Sequence, residues 1–217
     1  VLSDADDHGL MVIFHGCTLP RGWERMYPNY AGSEAVLASE NLIFSQHACD
    51  NEAFNATLHP FIRNAVGCME FGGVFLNKRL NRGNDGGTTR RTTDIFQLAT
   101  AVLFQNPIQN FALAPNNLAD APGVCIDFMK QMPTIWDETR FIDGYPGRYV
   151  VLARRHGDVW YVAAVNATAE PLKLKLSLPM LPAGDAVSVY LDDKKLQPQQ
   201  KEQKIKTDGT LQLTVQP

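Results

Sequence analysis

The chain has 217 residues, of which 45% are hydrophobic and 20% are charged, and its formal net charge is -3. This balance is ordinary for a globular protein and excludes a disordered chain, and without a basic excess we expect no nucleic-acid partner. The longest clean apolar run, residues 10–14, is far shorter than the ~20 residues that cross a bilayer, so we expect no membrane span. The chain starts at Val1 without a signal-peptide pattern, so we expect a processed product or a fragment.

Up to about residue 135, short apolar runs alternate with helical patterns, which is typical of a parallel α/β layer. Residues 10–14 predict a strand buried on both faces. Ser33 is a predicted N-cap for a helix over residues 35–42. A second helix is predicted over part of residues 51–64, and Pro60 should break or kink it.

The clearest helix covers residues 93–104, where apolar residues recur at the spacing of one helix face and Pro107 follows as a stop signal. Residues 108–113 then predict another short buried strand. A last helix is predicted over residues 124–131, before Pro133.

After residue 135 the pattern changes to strands separated by turn residues. Residues 148–155 and 159–165 flank the turn sequence His156-Gly157-Asp158 and predict a hairpin. Three further stretches alternate apolar and polar residues as half-buried antiparallel strands do: 172–178, 186–191 and 211–215. We predict a small antiparallel β-sandwich over residues 136–217, with a weakly ordered polar stretch at 197–206.

The four cysteines, Cys17, Cys49, Cys68 and Cys125, form neither a C-x-x-C pair nor a zinc-binding pattern with histidine. A chain of this length can build its core without disulfides. We therefore predict buried free thiols.

The stretch with the most chemistry is HGCTLPRGWERMYPN at residues 15–29, directly after the predicted 10–14 strand. In parallel α/β folds, the loops that follow the carboxyl ends of strands hold the functional site. Its His, Arg, Trp, Tyr and Asn side chains suit a polyhydroxylated ligand. The alternative is a Pro/Gly-rich loop around a tryptophan anchor, and composition alone favours that alternative.

Glu34 and Glu40 follow this stretch. Paired carboxylates perform acid/base catalysis when their environments separate their pKa values, and carboxylate oxygens are also the natural ligands of Ca²⁺. On a regular helix, however, a spacing of six residues places two side chains about 120° apart. The spacing alone therefore favours two solvated glutamates.

Other candidates have simpler interpretations. The arginines around residues 84–87, which are Arg79, Arg82, Arg90 and Arg91, predict a solvated loop. Trp136 is predicted to be a packing anchor, and the glycosylation sequons at Asn55 and Asn166 are short enough to arise by chance.

The run HGCTLPRGWERMYPN followed by SEAVLASEN resembles glycoside hydrolase family 97, the α-glucosidase and α-galactosidase family of gut Bacteroidetes. The run TTDIFQLATAVLFQNPIQNFAL resembles the last barrel helix and strand of that family. The passage MPTIWDETRFIDGYPGRYVVLARRHGDVWYVAAVNA resembles its join to a C-terminal β-domain. The resemblance therefore extends over most of the chain.

This resemblance implies an α/β plus all-β fold class. Residues 1–135 would be the C-terminal part of a (β/α)8 TIM barrel, with residues 10–14 as its sixth strand, and residues 136–217 would be a small antiparallel β-sandwich. The earlier strands and an N-terminal domain would be missing. Because an incomplete barrel has open strand edges, we expect self-association or poor solubility.

The resemblance also assigns roles to residues. Glu40 falls on the general acid, Glu34 and Glu40 fall on positions that bind a Ca²⁺ cofactor, and His15 matches a substrate contact. Gly16 stands where the inverting subgroup has Glu, which implies the retaining subgroup. Retention needs two carboxyl groups about 5–5.5 Å apart, so we expect an Asp nucleophile upstream of Val1 and an inactive isolated chain.

The function implied is that of an exo-acting α-galactosidase or α-glucosidase acting on terminal α-glycosidic bonds of oligosaccharides, in the periplasm or outside a Gram-negative gut bacterium. An alternative is a non-catalytic carbohydrate-binding or oligomerisation module formed by residues 136–217, with a possible homo-oligomer. An inverting α-glucosidase is a further alternative, and Gly16 argues against it.

Overall fold

A computed structural model of the chain describes residues 1–16 and 21–217. The helices α1 to α6 cover Leu2–Asp7, Asn41–Phe44, Gln46–Leu58, Asp94–Leu103, Asn117–Asp120 and Gly123–Gln131. The strands β1 to β9 cover Val12–Phe14, Tyr30–Ser33, Glu138–Tyr145, Tyr149–His156, Val159–Asn166, Leu172–Ser177, Ala186–Asp192, Pro198–Lys204 and Thr210–Val215. None of the described helices is long and apolar enough to cross a membrane.

The first part of the chain brings short segments together side by side. Strands β1 and β2 pair in parallel, and Ser33 at the end of β2 forms a parallel bridge with Met69. The Met69 N–H then donates to the Gln105 carbonyl over 2.8 Å. These segments do not close into a barrel among the described residues.

The apolar run at residues 10–14 forms a shorter strand than predicted. Only Val12–Phe14 is extended, these three residues are half-buried, and Leu10 and Met11 are exposed. Strand β1 has β2 as its only strand partner in the described part of the chain. The predicted strand at 108–113 is wrong, because that stretch has no strand in the structure.

The predicted helix over residues 35–42 is also wrong. Ser33 is the last residue of β2 and does not cap a helix. Ala35 has a φ of 40°, in the left-handed region, so the chain turns sharply there and α2 begins only at Asn41. A non-glycine residue at positive φ interrupts any helix that would run through it.

The other helix predictions are confirmed. Helix α3 begins at Gln46, earlier than predicted, and ends at Leu58, before Pro60, as predicted; α6 matches its prediction within one residue. Helix α4 is capped by Thr93, whose Oγ1 accepts a 3.1 Å hydrogen bond from the Phe96 N–H. The apolar face of α4 lies in the first core, which includes Met69, Leu103, Phe104, Val150, Leu152 and Val165.

The last third of the chain consists of antiparallel sheets. Strands β3, β4 and β5 form one sheet, β6 pairs with β9, and β7 pairs with β8. The hairpin between β4 and β5 turns at Gly157, as predicted. The alternation in β6 is also confirmed, since Leu174 and Leu176 are buried while Lys173 and Lys175 are exposed. The second core contains Val151, Leu174, Leu176, Leu178, Val189, Ile205 and Leu211.

The polar stretch at 197–206 does not have the weak order that we predicted. Pro198–Lys204 forms β8 and pairs with β7 along its whole length. Strand pairing uses backbone hydrogen bonds, which polar side chains also permit, and charged side chains are common on edge strands. Strand β3 was not predicted for a similar reason, because its side chains lack a clear alternation.

Several single-residue predictions can be compared with the structure. Cys49 and Cys125 are buried free thiols and Cys68 is a half-buried one, whereas Cys17 lies outside the described residues. Trp136 packs edge-to-face on Tyr161 with 5.3 Å between ring centroids, as a packing anchor does.

The arginine loop is not fully solvated, which corrects the prediction. Arg90 is buried, donates to the carbonyls of Asn77 and Thr92, and forms an ion pair with Asp94 at the start of α4. Its guanidinium therefore serves the packing of the loop against α4. Arg79, by contrast, is exposed, as predicted.

Candidate active site

A cluster of ionisable side chains lies where neighbouring parallel segments end. His15 follows β1, Glu34 follows β2, and Glu70 follows the Met69 bridge. Because the carboxyl ends of parallel segments meet at one edge, these side chains converge. The side chains of Glu34 and Glu70 are only 7% and 5% exposed, whereas that of His15 is 51% exposed. The site therefore combines buried carboxylates with an accessible imidazole.

The imidazole of His15 stands between two of the carboxylates. Its Nε2 lies 2.7 Å from Oε2 of Glu70, which is a hydrogen-bond distance, and its Nδ1 lies 3.6 Å from Oε2 of Glu34, which is not. The backbone N–H of Gly16 donates to the same Glu34 oxygen over 3.0 Å. Gly16 has a φ of 58°, so this position favours glycine and contributes its backbone to the site.

Glu40 joins the cluster because of the turn at Ala35. His15, Glu34 and Glu40 each offer one ligand atom, and these atoms lie within 4.8 Å of one another. The interpretation of Glu34 and Glu40 as two separate solvated glutamates is wrong for Glu34, which is buried, and for their separation, whereas Glu40 is exposed to solvent. The helix on which that interpretation rested does not form. A hydrogen bond with Glu34, partial loss of hydration and the nearby negative charges raise the pKa of Glu40, while His15 opposes the rise.

Buried polar contacts hold these strand ends in place. The guanidinium of Arg63 donates to the backbone carbonyls of Ser33, Glu34 and Cys68 over 2.7, 3.2 and 2.9 Å. The Ser39 hydroxyl donates to the Phe71 carbonyl over 2.8 Å and ties the loop before Glu40 to the segment after Glu70. The bonds from the charged Arg63 and from Ser39 together fix the backbone geometry at the site.

The donor set suits a divalent cation. Glu34 and Glu40 provide carboxylate oxygens, which are the hard ligands that Ca²⁺ prefers, and both carboxylates face the same small space. The nearby charge of Glu34 contributes to the raised pKa of Glu40, and a bound cation would relieve this repulsion. The residues present therefore fit the ion that the family resemblance implies.

Sequence reasoning did not identify Glu70, Asn110 or Arg63. Asn110 donates from Nδ2 to Oε1 of Glu70 over 3.4 Å, and both residues lie far from His15 in the sequence. The only local signal was a single acidic residue at the end of the short apolar run before Gly72 and Gly73. Only the pairing of the segments brings these side chains together.

Comparisons with known proteins identify relatives of this chain. A family model described as glycosyl-hydrolase 97 C-terminal, oligomerisation, matches residues 135–217. The chain is similar to a probable retaining alpha-galactosidase from Streptomyces bingchenggensis, with 36% identity over 181 residues, 80% of this chain and 26% of that protein. It is also similar to a retaining alpha-galactosidase from Bacteroides thetaiotaomicron, with 34% identity over 162 residues, 72% of this chain and 24% of that protein.

Two solved structures are also similar. The crystal structure of a beta-arabinopyranosidase superposes with a TM-score of 0.97 and 74% identity, over 100% of this chain and 34% of that chain. A family 97 enzyme from Pseudoalteromonas sp. in complex with panose superposes with a TM-score of 0.79 over 98% of this chain and 34% of its own. That second pair shares only 22% identity, so it shows the fold alone.

The carboxylate cluster and these relatives indicate the glycoside hydrolases as the class of protein. Within that class, the chain belongs to glycoside hydrolase family 97 and corresponds to the C-terminal part of its members. It spans about a quarter of the length of the curated relatives and a third of the solved structures.

Proposed function

We propose that this chain forms the C-terminal part of a retaining exo-glycosidase in which Glu40 is the general acid and then the general base. The observation that carries the proposal is the contact between Glu34 and Glu40. The two carboxylates offer ligand atoms within 4.8 Å of each other, and this proximity raises the pKa of Glu40, which favours the protonated form that a general acid needs. Both curated relatives are named as retaining enzymes, which supports the mechanism.

Glu40 acts in both steps of the reaction. In the first step a carboxylate nucleophile bonds to the anomeric carbon, the glycosidic C–O bond breaks, and Glu40 gives its proton to the departing oxygen. In the second step the Glu40 carboxylate takes a proton from water while the water oxygen displaces the nucleophile from the anomeric carbon. We infer that the nucleophile is an Asp from a part of the longer protein outside this chain, so the isolated chain is inactive.

We infer the substrate from the activities for which the relatives are named. An α-D-galactopyranoside and a β-L-arabinopyranoside have the same ring configuration and differ only by the hydroxymethyl group on C5. The galactosidase relatives and the 74% identical arabinopyranosidase are therefore named for substrates in which the leaving group has the same orientation on the ring. We infer that the terminal sugar has this configuration, with β-L-arabinopyranosides as the preferred substrates because that relative has the higher identity.

Calcium is the cofactor that we propose for the site. Glu34 would hold the ion through its carboxylate oxygens, and Glu40, the other carboxylate of the cluster, would lie beside the ion. When bound, Ca²⁺ supplies positive charge beside the reacting centre. His15 stays available for the sugar, because nitrogen is a poor ligand for this hard cation.

The architecture that we propose has two parts. Residues 1–135 form the C-terminal portion of a (β/α)8 barrel, which is supported by the parallel segments and by the cluster at their carboxyl ends. Residues 136–217 form the β-sandwich domain, in agreement with the family match to residues 135–217.

A second function concerns this β-domain. Its family description names oligomerisation, and we propose that it forms a contact between copies of the protein. The alternative, sugar binding by stacking, has less support because the guanidinium of Arg140 lies 4.9 Å from the centre of the Trp160 ring and covers one face of it. Arg155 lies 6.0 Å from the same ring.

The experiment that tests the catalytic proposal uses the full-length protein with 4-nitrophenyl glycosides. We expect hydrolysis of the β-L-arabinopyranoside and the α-D-galactoside, and little hydrolysis of the α-D-glucoside, which differs at C4. A preference for the α-D-glucoside would contradict the substrate proposal. Activity of the isolated 217-residue chain would contradict the proposal that its nucleophile lies elsewhere.

A further inference from the structure

We propose that Glu70 is a positioning residue of this site: its buried carboxylate holds the imidazole of His15 in the orientation in which it contacts the bound sugar. The inference rests on the proposed function, because His15 contacts a sugar only if the protein is a glycosidase. It concerns a residue that acts through its neighbour and does not touch the reacting atoms.

The hydrogen bond to Glu70 fixes the orientation of the imidazole ring. A carboxylate only accepts, so the 2.7 Å contact is a hydrogen bond from Nε2–H of His15 to Oε2 of Glu70. Nδ1 lies 3.6 Å from Oε2 of Glu34, too far for a hydrogen bond, so Glu70 is the carboxylate that fixes the ring.

Glu70 is itself held from several sides. Its backbone N–H donates to the Ser33 carbonyl over 3.1 Å, and its Oε1 accepts the bond from Asn110. Gly72 packs so closely that a Cβ atom there would lie 3.4 Å from Oε1 of Glu70. A side chain held in this way is preorganised to orient a partner.

Glu52, another buried glutamate, has a purely structural environment and can be compared with Glu70. Glu52 accepts hydrogen bonds from Thr92 and Gln97 over 2.8 and 2.5 Å, and both partners are buried in the packing between α3 and α4. The shorter contact of Glu70, in contrast, is with the half-exposed His15 at the strand ends. Burying a carboxylate is unfavourable without close partners, so this placement indicates a role in the site.

The test is a double-mutant cycle in the full-length enzyme, with the β-L-arabinopyranoside as substrate. Glu70→Met removes the acceptor at nearly constant volume, and we expect kcat/KM to fall about tenfold to a hundredfold because His15 loses its orientation. Glu70→Gln keeps an acceptor for Nε2–H and should recover part of the loss. In a His15→Ala background, Glu70→Met should change kcat/KM by less than about twofold.

Glu52→Met is the matched control. It should lower the melting temperature but leave kcat/KM unchanged well below that temperature. Equal losses from Glu70→Met with and without His15, or no loss at all, would overturn the proposal.

A crystal structure of the Glu70→Met enzyme gives a readout that does not depend on activity. We expect the His15 ring to leave its present position, and an unmoved ring would overturn the proposal. If the wild-type enzyme hydrolyses no glycoside, the proposed function fails while this structure still decides whether Glu70 positions His15.

Discussion

At the scale of single residues, the site depends on a sharp turn that places the carboxylate of Glu40 next to that of Glu34. Ala35 has a left-handed backbone conformation, so the chain changes direction directly after β2. As a result, the side chain of Glu40 lies close to that of Glu34. The resemblance to family 97 identified both glutamates, whereas their spacing argued against a pair. Physical spacing rules failed here because they assume a regular helix, and the chain has a turn instead.

Replacement of Glu40 by Gln tests its role as acid and base. In the full-length enzyme, Glu40→Gln should lower kcat by about 10²–10⁴-fold for a natural disaccharide, because the departing oxygen then receives no proton. Aryl glycosides with good leaving groups should lose much less, since they need little protonation. Steady-state kinetics with both substrate types measure the difference.

The control for this change is Glu202→Gln, which alters an exposed glutamate of β8. It should leave both rates unchanged. Equal losses of activity with good and poor leaving groups in Glu40→Gln would contradict the acid role.

His59 gives a pH dependence of stability. Burial lowers the pKa of His59 to about 4, while its Nε2 lies 3.2 Å from the Leu37 carbonyl. The ordinary value is 6.5, so between these pH values the unfolded chain binds a proton that the folded chain does not. The free energy of unfolding should therefore fall by up to roughly 3 kcal/mol as the pH drops from 7 to 4.

The change is measured by urea unfolding of this chain and of His59→Phe across that pH range. The Phe side chain suits the site because His59 lies between the rings of Phe71 and Phe104, with centroids 5.7 and 5.5 Å away. The stability of the wild type relative to His59→Phe should decline towards pH 4. Parallel curves for the two proteins would contradict the prediction.

At the scale of the elements, α4 links the two parts of the chain. Thr93 accepts from the Phe96 N–H at the helix start and also donates from Oγ1 to Oδ2 of Asp192 in β7, over 2.9 Å. Thr93→Val keeps the shape but removes both bonds. We expect a loss of about 1–2 kcal/mol in the free energy of unfolding, measured by chemical denaturation.

Thr93→Ser keeps the hydroxyl and is the matched variant. It should retain most of the stability. If Thr93→Val and Thr93→Ser unfold at the same denaturant concentration, the hydroxyl contributes nothing to the link between α4 and β7.

Elements with a strong periodic pattern could be predicted from the sequence, and elements defined by distant partners could not. Helix α4, the β4–β5 hairpin and β6 each bury one face, so the spacing of their apolar residues predicts the type of element. Strand β8 forms because its backbone pairs with β7, and its polar sequence has no pattern from which this pairing could be predicted. Glu70 belongs to the same group, since only the bridge from Ser33 to Met69 brings it to His15.

At the scale of the whole molecule, the two parts of the chain share a core. Val150 and Leu152 of β4 face the first core with α4, whereas Val151 faces the second core. The buried Arg154 also donates to the Leu103 carbonyl at the end of α4 over 2.8 Å. The predicted boundary near residue 135 therefore separates two sequence patterns but not two independent cores.

The shared core predicts the behaviour of residues 135–217 alone. Without α4, one face of the β3–β4–β5 sheet loses its cover, and an apolar face of that kind promotes association. We expect this segment to bind a hydrophobic dye and to self-associate in analytical ultracentrifugation. The same segment with Leu152→Ser should associate less, and a strictly monomeric segment without dye binding would contradict the prediction.

The stereochemistry of the product tests the central claim most directly. The full-length enzyme is mixed with an activated β-L-arabinopyranoside, and proton NMR records the anomer that is released before mutarotation. The proposed mechanism, with Glu40 as acid and base and a separate carboxylate nucleophile, predicts that the β-anomer appears first. Initial release of the α-anomer would mean direct attack by water and would contradict the mechanism.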